Sequence, residues 1–321
     1  MRTLKIGVIM DPIEKINIEK DTTFVLMLEA QKRGHEVYYM ELKDLSIHDT
    51  TPVAHSCPVS VAKATPYYQF GPSESRPLSW FDIVLMRKDP PFDLKFFFAT
   101  HLLSLVDERS CLVVNHPRGL REASEKLYAL NFPDLIPETL VSSDIDRLKE
   151  FMAERGGEMI IKPLDGYGGS GVFYLQQKDR NTNALLEMAT ANGENPIMAQ
   201  RYLPEIRKGD KRIIVLNGEP IGAVLRVPRE DENRGNIHVG GRSVKADLSP
   251  RDLEICRVLS PSLREAGLYF VGLDVIGDYL TEVNVTSPTC VQEINTLNGV
   301  RLESQMIDFV EQKTLELDRR S

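Results

Sequence analysis

The chain has few of the residues that build disulfide frameworks, thiolate metal sites or nucleophilic catalytic groups. Its 321 residues include four cysteines and six histidines, and neither set shows the spacing of metal ligands. No Ser/His/Asp or Cys/His grouping is recognisable. Free thiols in a reducing cytoplasm are the simplest account of the four scattered cysteines, which are Cys57, Cys111, Cys256 and Cys290.

Long apolar runs and an excess of positive charge are also absent. No stretch approaches the length needed to span a membrane, and the segment before the first strand lacks the apolar region of a signal peptide. The formal net charge of -8 argues against broad binding of nucleic acid or acidic lipid. We therefore expect a cytoplasmic protein without membrane or nucleic-acid partners, built from two domains or from one large domain with an insertion.

The most informative segment is a potential β-hairpin over residues 272–288. Residues two apart on a strand point to the same face, so Glu282 and Asn284 present two oxygen atoms side by side. A bulge or a three-residue turn places Asp274 opposite Glu282, whereas a strict two-residue turn places Thr281 there. Three oxygen donors without His or Cys suit Mg²⁺. The pattern predicts a metal site at Asp274, Glu282 and Asn284; an ordinary hairpin with a polar solvent face is the alternative.

A lysine followed by a glycine-rich loop is the second signal. Lys162 ends a predicted strand, and four glycines lie among the nine residues that follow it. Glycine allows backbone N–H groups to converge on phosphate oxygens without obstruction by side chains. The loop matches neither the Walker A sequence nor the dinucleotide fingerprint, and a mobile hairpin tip is the alternative. We predict phosphate binding by Lys162 together with Gly168, Gly169 and Ser170.

Arginines concentrate ahead of the potential hairpin and flank a polar loop over about residues 228–242. Arginine can hold a carboxylate or phosphate through two parallel hydrogen bonds. Glycines on both sides of the loop suit a lid that closes over reactants and excludes water. A solvated, charged loop is the alternative interpretation. The arginines concerned are Arg212, Arg226, Arg234 and Arg242.

Strand–helix–strand alternation over about the first 115 residues predicts a parallel sheet. Ligands bind beyond the carboxyl ends of the strands in such sheets. Polar residues that follow the predicted strands either line a site or merely cap turns, and these are Asp11, Arg87, Asp89 and Asn115. Residues 46–79 are predicted to form a loop with at most weak strands. From Arg212 onward, an Asn-Gly turn between apolar strands predicts antiparallel structure.

Together these segments resemble the prokaryotic glutathione synthetase family, whose members have the ATP-grasp fold, across nearly the whole chain. The resemblance is weakest over residues 46–80 and after Cys290, and Arg201 stands where we expect a smaller polar residue. The motifs that carry it are Lys126 and residues 8–13, 86–93, 162–166, 199–204, 210–212 and 284–289.

The resemblance implies an ATP-dependent ligase that joins γ-glutamylcysteine to glycine through an acyl phosphate, forming glutathione and releasing ADP and phosphate. It implies Mg²⁺ or Mn²⁺ at Asp274, Glu282 and Asn284. It places ATP against Lys126, Lys162, Gln200, Tyr202, Leu203 and Asp210, the reacting groups against Arg212, Arg226 and Arg234, and the substrate against Asp11, Asn17, Arg87, Ser287, Pro288 and Thr289.

The implied fold is α/β, with α+β character in the C-terminal part: an ATP-grasp fold that follows an N-terminal domain with a parallel sheet. The expected domains are residues 1–122, residues 123–203 with the glycine-rich loop, and residues 204–321 with the metal site and lid. Another ATP-grasp carboxylate–amine ligase and a non-catalytic ATP-binding scaffold of the same fold remain alternatives. The resemblance also suggests a homo-oligomer, specifically a tetramer.

Overall fold

Three β-sheets organise the part of the chain that the computed structural model describes, residues 2–232, 235 and 240–318. The first sheet contains β1 (Lys5–Ile9), β2 (Glu36–Met40), β3 (Leu45–His48), β4 (Thr51–Val61), β5 (Tyr68–Phe70), β6 (Glu74–Pro77), β7 (Ile83–Met86) and β8 (Leu112–Val114). The second contains β9 (Thr139–Ser142), β10 (Glu158–Pro163), β11 (Phe173–Gln176) and β12 (Ile197–Arg201). The third contains β13 (Asp210–Leu216), β14 (Glu219–Val227), β15 (Arg242–Lys245), β16 (Phe270–Ile276) and β17 (Tyr279–Asn284).

The α-helices lie between strands along the chain or follow the last strand, and side chains cap several of them. Asp21 and Asp93 accept hydrogen bonds from the first-turn amides of α1 and α2, and Ser249 caps α6, whose first residue is Pro250. The helices are α1 (Thr22–Lys32), α2 (Leu94–Leu103), α3 (Pro117–Glu122), α4 (Ile145–Glu154), α5 (Thr182–Ala189), α6 (Pro250–Glu265), α7 (Val291–Asn298) and α8 (Leu302–Asp318).

The centre of the first sheet is parallel, as predicted. Strands β2, β1, β7 and β8 lie side by side, and each neighbouring pair runs in the same direction. Their residues are almost all buried, because helices and loops cover both faces of such a sheet. The carboxyl ends of β1 and β7 therefore bring Asp11 and Arg87 to the same edge.

The prediction of a loop over residues 46–79 is wrong. Strand β4 is 11 residues long, and it pairs antiparallel with β2, β3, β5 and β6. Prolines and serines made the segment look irregular, but Pro77 lies in the short edge strand β6, where a missing N–H can be tolerated. Contact between aromatic rings favours the arrangement, since the rings of Tyr39 and Phe70 lie 5.1 Å apart.

The third sheet confirms two predicted hairpin features. Asn217 and Gly218 have φ of 49° and 81°, the pair of positive values that a tight turn between β13 and β14 requires. In the second hairpin, Ile276 pairs with Tyr279, and a register shift then places Asp274 opposite Glu282. The bulge falls at Thr281, so the alternative that placed Thr281 opposite Asp274 is wrong.

The first and third sheets share their hydrophobic cores. Both large clusters combine side chains from the two sheets, whereas a separate smaller cluster around Leu148, Met159 and Leu186 supports the second sheet. The second sheet thus has a hydrophobic core of its own. The domain division at residues 122 and 203 stays a prediction. Within the described ranges, the helices lack the combination of length and apolar character needed to cross a bilayer.

Candidate active site

A cleft opens between the second and third sheets. Strands β10 and β12 provide one wall, and the β16–β17 hairpin provides another. All nine residues predicted to bind ATP line this cleft: Lys126, Lys162, Gly168, Gly169, Ser170, Gln200, Tyr202, Leu203 and Asp210. The predicted metal ligands Asp274 and Glu282 line it as well.

Two lysines enter the cleft from different elements. Lys162, at the end of β10, donates a 2.7 Å hydrogen bond from Nζ to Oε1 of Gln200 on the paired strand β12. Burial lowers the pKa of Lys162, although the charge of Glu282 opposes that shift. Lys126 is 4% exposed; its Nζ lies 3.1 Å from Oε1 of Glu282 and also donates to the carbonyl of Gly166. Both ammonium groups thus lie beside the β16–β17 hairpin that carries the carboxylates of Asp274 and Glu282, which we call the carboxylate hairpin.

The loop after Lys162 requires glycine. Gly168 and Gly169 have φ of 61° and 81°, which side-chain-bearing residues rarely adopt. A Cβ added at Gly166 would lie 2.5 Å from Cγ of Pro163 and 3.0 Å from the carbonyl oxygen of Ser170. The backbone therefore folds tightly on itself, and Gly168, Gly169 and Ser170 line the cleft, as expected of a phosphate-binding loop.

Aromatic and apolar side chains close the other end of the cleft. The ring of Tyr202 lies 4.5 Å from that of Tyr174, and Leu203 is buried beside it. Arg201 lines the same end, where its Nε donates a 2.6 Å hydrogen bond to Oε2 of Glu138. The unexpected Arg201 is therefore held by a partner in the same sheet.

Asp274 is the centre of a buried ion-pair cluster. Its carboxylate accepts hydrogen bonds from Nε of Arg212 at 2.5 Å and from Nη2 of Arg212 at 3.0 Å, and Nη2 of Arg226 lies 2.9 Å away. Burial by itself would raise the pKa of Asp274, but the two guanidinium charges outweigh it and hold this pKa well below its usual range.

Asp210 shares Arg226 with Asp274, and the pair is incompletely satisfied. Arg226 donates to Oδ2 of Asp210, whereas Oδ1 of Asp210 and Nε of Arg226 have no hydrogen-bond partner among the described residues. Burial raises the pKa of Asp210 to about 6 despite the nearby Arg226 charge. Because Asp210 lines the cleft, its free oxygen can accept a hydrogen bond from a ligand.

The predicted metal ligands fit a hard divalent cation. Asp274 and Glu282 lie directly opposite each other, and Asn284 lies two residues further along the same face of β17. Asn284 donates Nδ2 to the carbonyl of Gly272 at 3.2 Å, which leaves its side-chain oxygen as the ligand atom. The set joins two carboxylates to one amide; in the described ranges, no group of three or more His, Cys, Asp and Glu could hold a metal. Oxygen donors of this kind suit Mg²⁺ better than softer metals.

Arg87 and the segment after β17 meet at the edge of the first sheet. Arg87 is 4% exposed; it donates to Oγ1 of Thr23 at 3.1 Å and to the carbonyl of Pro288 at 2.9 Å. Oγ of Ser287 donates in turn to the Arg87 carbonyl at 3.3 Å. Burial lowers the pKa of Arg87 to about 10. The predicted substrate residues Arg87, Ser287 and Pro288 thus form one contiguous group.

The other predicted substrate residues differ in placement. Asp11 is half-buried near Arg87, accepting the Asp89 amide and pairing with Lys88 at 2.9 Å. Thr289 is next to this group, with its hydroxyl 3.8 Å from Sγ of Cys290. Asn17 is exposed, and its side-chain oxygen accepts the amide of Glu19. Like the Arg87 group, Asn17 is not part of the cleft lining.

The structure describes two of the three arginines that were predicted to contact the reacting groups. Arg212 and Arg226 lie behind Asp274 rather than in the cleft lining, because their guanidinium groups are used in the buried cluster. Arg234 lies outside the described residues. Gly235, from the same predicted lid, reaches the cleft lining.

Several lining residues carried no chemical signal in the sequence. They are mostly apolar, and such side chains look like ordinary core residues until the fold places them around a cavity. The set comprises Pro137, Ile160, Val172, Ile206 and Ile276.

Two family models match the chain and together span most of it. The N-terminal domain of prokaryotic glutathione synthetase matches residues 4–121, and the ATP-grasp domain of the same family matches residues 125–299. The glutathione synthetase of Gloeobacter violaceus is 49% identical over 317 residues, covering 97% of this chain and 98% of that protein. That of Thermosynechococcus vestitus is 47% identical over 317 residues, covering 96% of this chain and 99% of that protein.

Solved structures of lower identity have the same fold. The D-cycloserine synthetase DcsG superposes with a TM-score of 0.67 at 15% identity, covering 96% of this chain and 99% of that chain. The ATP-grasp ligase PsnB, solved with minimal precursor, Mg and ADP, superposes with a TM-score of 0.62 at 17% identity, covering 97% and 98%. These likenesses confirm the mixed α/β ATP-grasp architecture. Because the family models and full-length relatives agree, the chain belongs to the prokaryotic glutathione synthetase family and is an ATP-dependent ligase.

Proposed function

We propose that the cleft is the active site in which this chain makes glutathione from γ-glutamylcysteine and glycine, converting ATP to ADP and phosphate. The ATP-dependent synthesis follows from membership of the family, whereas the roles of individual residues are inferred from their contacts. The observation that carries these roles is the convergence of Lys126 and Lys162 on the carboxylate hairpin that contains Asp274 and Glu282.

In the first step, a carboxylate oxygen of γ-glutamylcysteine attacks the γ-phosphorus of ATP, and ADP leaves. Lys126, Lys162 and the glycine-rich loop hold the phosphates, so this step depends on positioning and charge stabilisation. Tyr202 and Leu203 enclose the adenine end, and the free oxygen of Asp210 accepts a hydrogen bond from the nucleotide. In the second step, the glycine amine attacks the acyl carbon, and phosphate leaves.

The family uses ATP with a divalent metal, and we assign the metal to Asp274, Glu282 and Asn284. Mg²⁺ is the favoured ion on the basis of these oxygen donors, with Mn²⁺ as the alternative. When bound, it neutralises charge on the phosphate oxygens. Arg212 and Arg226 hold the Asp274 carboxylate in place. Their contact with the transferred phosphate stays a prediction from the resemblance, as does that of Arg234, which lies outside the described residues.

We assign the dipeptide to the group around Arg87, Ser287, Pro288 and Thr289, next to Asp11. An arginine that is buried without a carboxylate in direct contact is suited to an anionic substrate. The role of Asn17 in binding the dipeptide stays a prediction from the resemblance, because its side chain is exposed to solvent.

The assignment is tested by replacing Glu282 with glutamine. The wild type should release phosphate only when ATP, γ-glutamylcysteine and glycine are all present, and Glu282→Gln should reduce that release severely at limiting Mg²⁺. Glu254→Gln, on the exposed side of α6, is the matched control. Near-normal turnover of the Glu282 variant would contradict the assignment of Glu282 as a metal ligand. Offering glutamate or D-alanine in the same assay separates this ligase from other ATP-grasp ligases.

We also infer a homo-oligomer located in the cytoplasm. Exposed apolar side chains on and after α2 support an association surface, with Leu94 71%, Phe98 58% and Leu105 53% exposed. All four cysteines are free thiols, which fits a reducing compartment. Light scattering measures the assembly, for which we expect a tetramer, and cell fractionation measures the location.

A further inference from the structure

Glu125 has no assigned role, yet it joins two parts of the proposed site. Its Oε1 accepts three hydrogen bonds: from the amide of Val285 at 3.0 Å, from the amide of Thr286 at 3.1 Å and from Oγ1 of Thr286 at 2.8 Å. Its backbone carbonyl accepts the amide of Val283 at 2.9 Å. The residue therefore holds the outer edge of β17, the last strand of the third sheet, through both its side chain and its backbone.

The segment held by Glu125 lies between two sets of functional residues. Glu282 and Asn284 precede it on β17, and the substrate group that begins at Ser287 follows it. Lys126 is the next residue in the chain after Glu125, and its ammonium lies 3.1 Å from Glu282. The contacts of Glu125 with residues 283–286 and of Lys126 with Glu282 thus together set the distance between the ammonium of Lys126 and the proposed metal ligands.

A carboxylate at this position is energetically unfavourable without its donors. Burial, reinforced by the charge of Glu282, raises the pKa of Glu125, and the Thr286 hydrogen bonds oppose the shift. A neutral side chain would avoid that cost if the position served only to fill space. Three donors on one oxygen instead match a role in fixing the backbone of residues 285 and 286.

We propose that Glu125 is a positioning residue: it fixes β17 relative to Lys126 so that a divalent metal on Glu282 and Asn284 can reach the phosphates held by the lysine. The inference rests on the proposed function, because it takes the metal and phosphate assignments as given. Loss of the Glu125 carboxylate should reduce the extra nucleotide affinity that the metal supplies. Metal-free affinity, which depends on Lys126, Lys162 and Gln200, should change little.

The experiment measures ADP binding by calorimetry, with Mg²⁺ and with a chelator, and takes the ratio of the two affinities. Groups that orient metal ligands typically contribute about 10–100-fold to metal affinity. We therefore expect Glu125→Ala to lower the ratio at least about tenfold. Glu125→Gln keeps an acceptor oxygen but loses the charge, so its affinity ratio should lie between that of the wild type and that of Glu125→Ala. Glu122→Ala, which removes an exposed carboxylate on α3, should leave the ratio unchanged.

The same titration with Glu282→Gln separates the two levels of the proposal. An unchanged ratio for Glu282→Gln would show that the metal assignment itself is wrong. If Glu282→Gln loses the gain in ADP affinity that Mg²⁺ supplies while folded Glu125→Ala keeps it, the positioning role alone is overturned. An equal loss of affinity with and without metal in Glu125→Ala would also overturn it, because that pattern indicates general disruption of the cleft.

A second variant keeps the proposal testable if Glu125→Ala fails to fold. Thr286→Val removes only the hydroxyl that donates to Glu125 at 2.8 Å. Loss of one hydrogen bond to a carboxylate should lower the metal-assisted ratio about threefold or more. Normal ratios in folded Thr286→Val and Glu125→Gln together would contradict the inference.

Discussion

Each lysine of the cleft already has a partner within the chain, but the partners differ in charge. Lys126 contacts the carboxylate of Glu282 at 3.1 Å, whereas Lys162 donates to the neutral amide of Gln200 at 2.7 Å. Burial lowers the pKa of Lys162 because its ammonium is withdrawn from water. A bound phosphate would therefore relieve an unfavourable burial of charge at Lys162. The two lysines are not equivalent, and Lys162 should contribute more to nucleotide affinity.

Replacing Lys162 with methionine tests this at the level of one side chain. The change keeps most of the volume but removes the charge, and hydrogen bonds to charged groups are worth about 1.5–3 kcal/mol. We expect ADP affinity to fall at least about tenfold and turnover to fall with it. Calorimetry and the phosphate-release assay measure the two effects. Lys178→Met, at an exposed position after β11, is the control. Normal affinity and turnover in the Lys162 variant would place the phosphate site elsewhere.

At the level of secondary-structure elements, strand β16 controls how closely the proposed metal ligand Asp274 and the proposed substrate group at Pro288 approach each other. Gly272 lies two residues before Asp274, and a Cβ added there would lie 3.1 Å from Cδ of Arg212 and 3.1 Å from Cβ of Pro288. The absence of a side chain therefore lets Arg212 and Pro288 pack against the same point of the strand. Asp274 receives its arginine partner through this close approach.

Replacing Gly272 with alanine should reduce activity more than stability. The added methyl moves Arg212 and Pro288 by a few tenths of an ångström, which should lower kcat/KM about fivefold, since small misplacements in an active site are costly. The melting temperature and kcat/KM measure the two effects. Gly222→Ala on strand β14 of the same sheet is the matched comparison, because its Cβ would meet Ile294 at 2.8 Å in the core.

For Gly222→Ala we expect the opposite pattern. Overpacking should destabilise the fold by about 1–3 kcal/mol and leave kcat/KM nearly normal at temperatures below melting. The same loss of activity in both variants, in proportion to stability, would show that Gly272 has only a packing role.

At the scale of the whole molecule, one buried amide joins the first sheet to the third. Asn115, which follows β8, donates Nδ2 to the carbonyls of Phe270 at 2.8 Å and Val285 at 2.7 Å, and its Oδ1 accepts the Phe270 amide at 2.8 Å. It is 3% exposed. The polar residue at this strand end serves to connect sheets rather than to bind a ligand. The two sheets should therefore unfold together.

Asn115→Ala should weaken that connection strongly. Three hydrogen bonds disappear, and buried peptide groups at Phe270 and Val285 lose their partners, so we expect the free energy of unfolding to fall by about 3 kcal/mol. Urea titration measures it by the fluorescence of Trp80, the single tryptophan, and by circular dichroism. In the wild type the two signals should coincide. Asn131→Ala, at an exposed position, should cost less than about 0.5 kcal/mol; an equal effect in both variants would contradict the connecting role.

The features that the sequence by itself determined depend on neighbours in the chain. The spacing of Glu282 and Asn284, the lysine followed by glycines, and the Asn-Gly turn at 217–218 are local patterns, because strand periodicity and turn conformation depend on a few consecutive residues. These patterns located the carboxylate hairpin and the glycine-rich loop that we propose binds phosphate, and the longer motifs identified the family.

Only the tertiary structure decided features that depend on distant partners. Sequence could not choose between Thr281 and Glu282 opposite Asp274, because a bulge depends on how the whole sheet twists and packs. Strand β4 forms against β2 and also pairs with β3, β5 and β6. The inward use of Arg212 and Arg226, the exposure of Asn17 and the contacts of Glu125 likewise follow from segments that lie far apart in the chain. Long-range packing selects one arrangement among several that local propensity allows, since each contact must satisfy burial and hydrogen bonding in both partners at once.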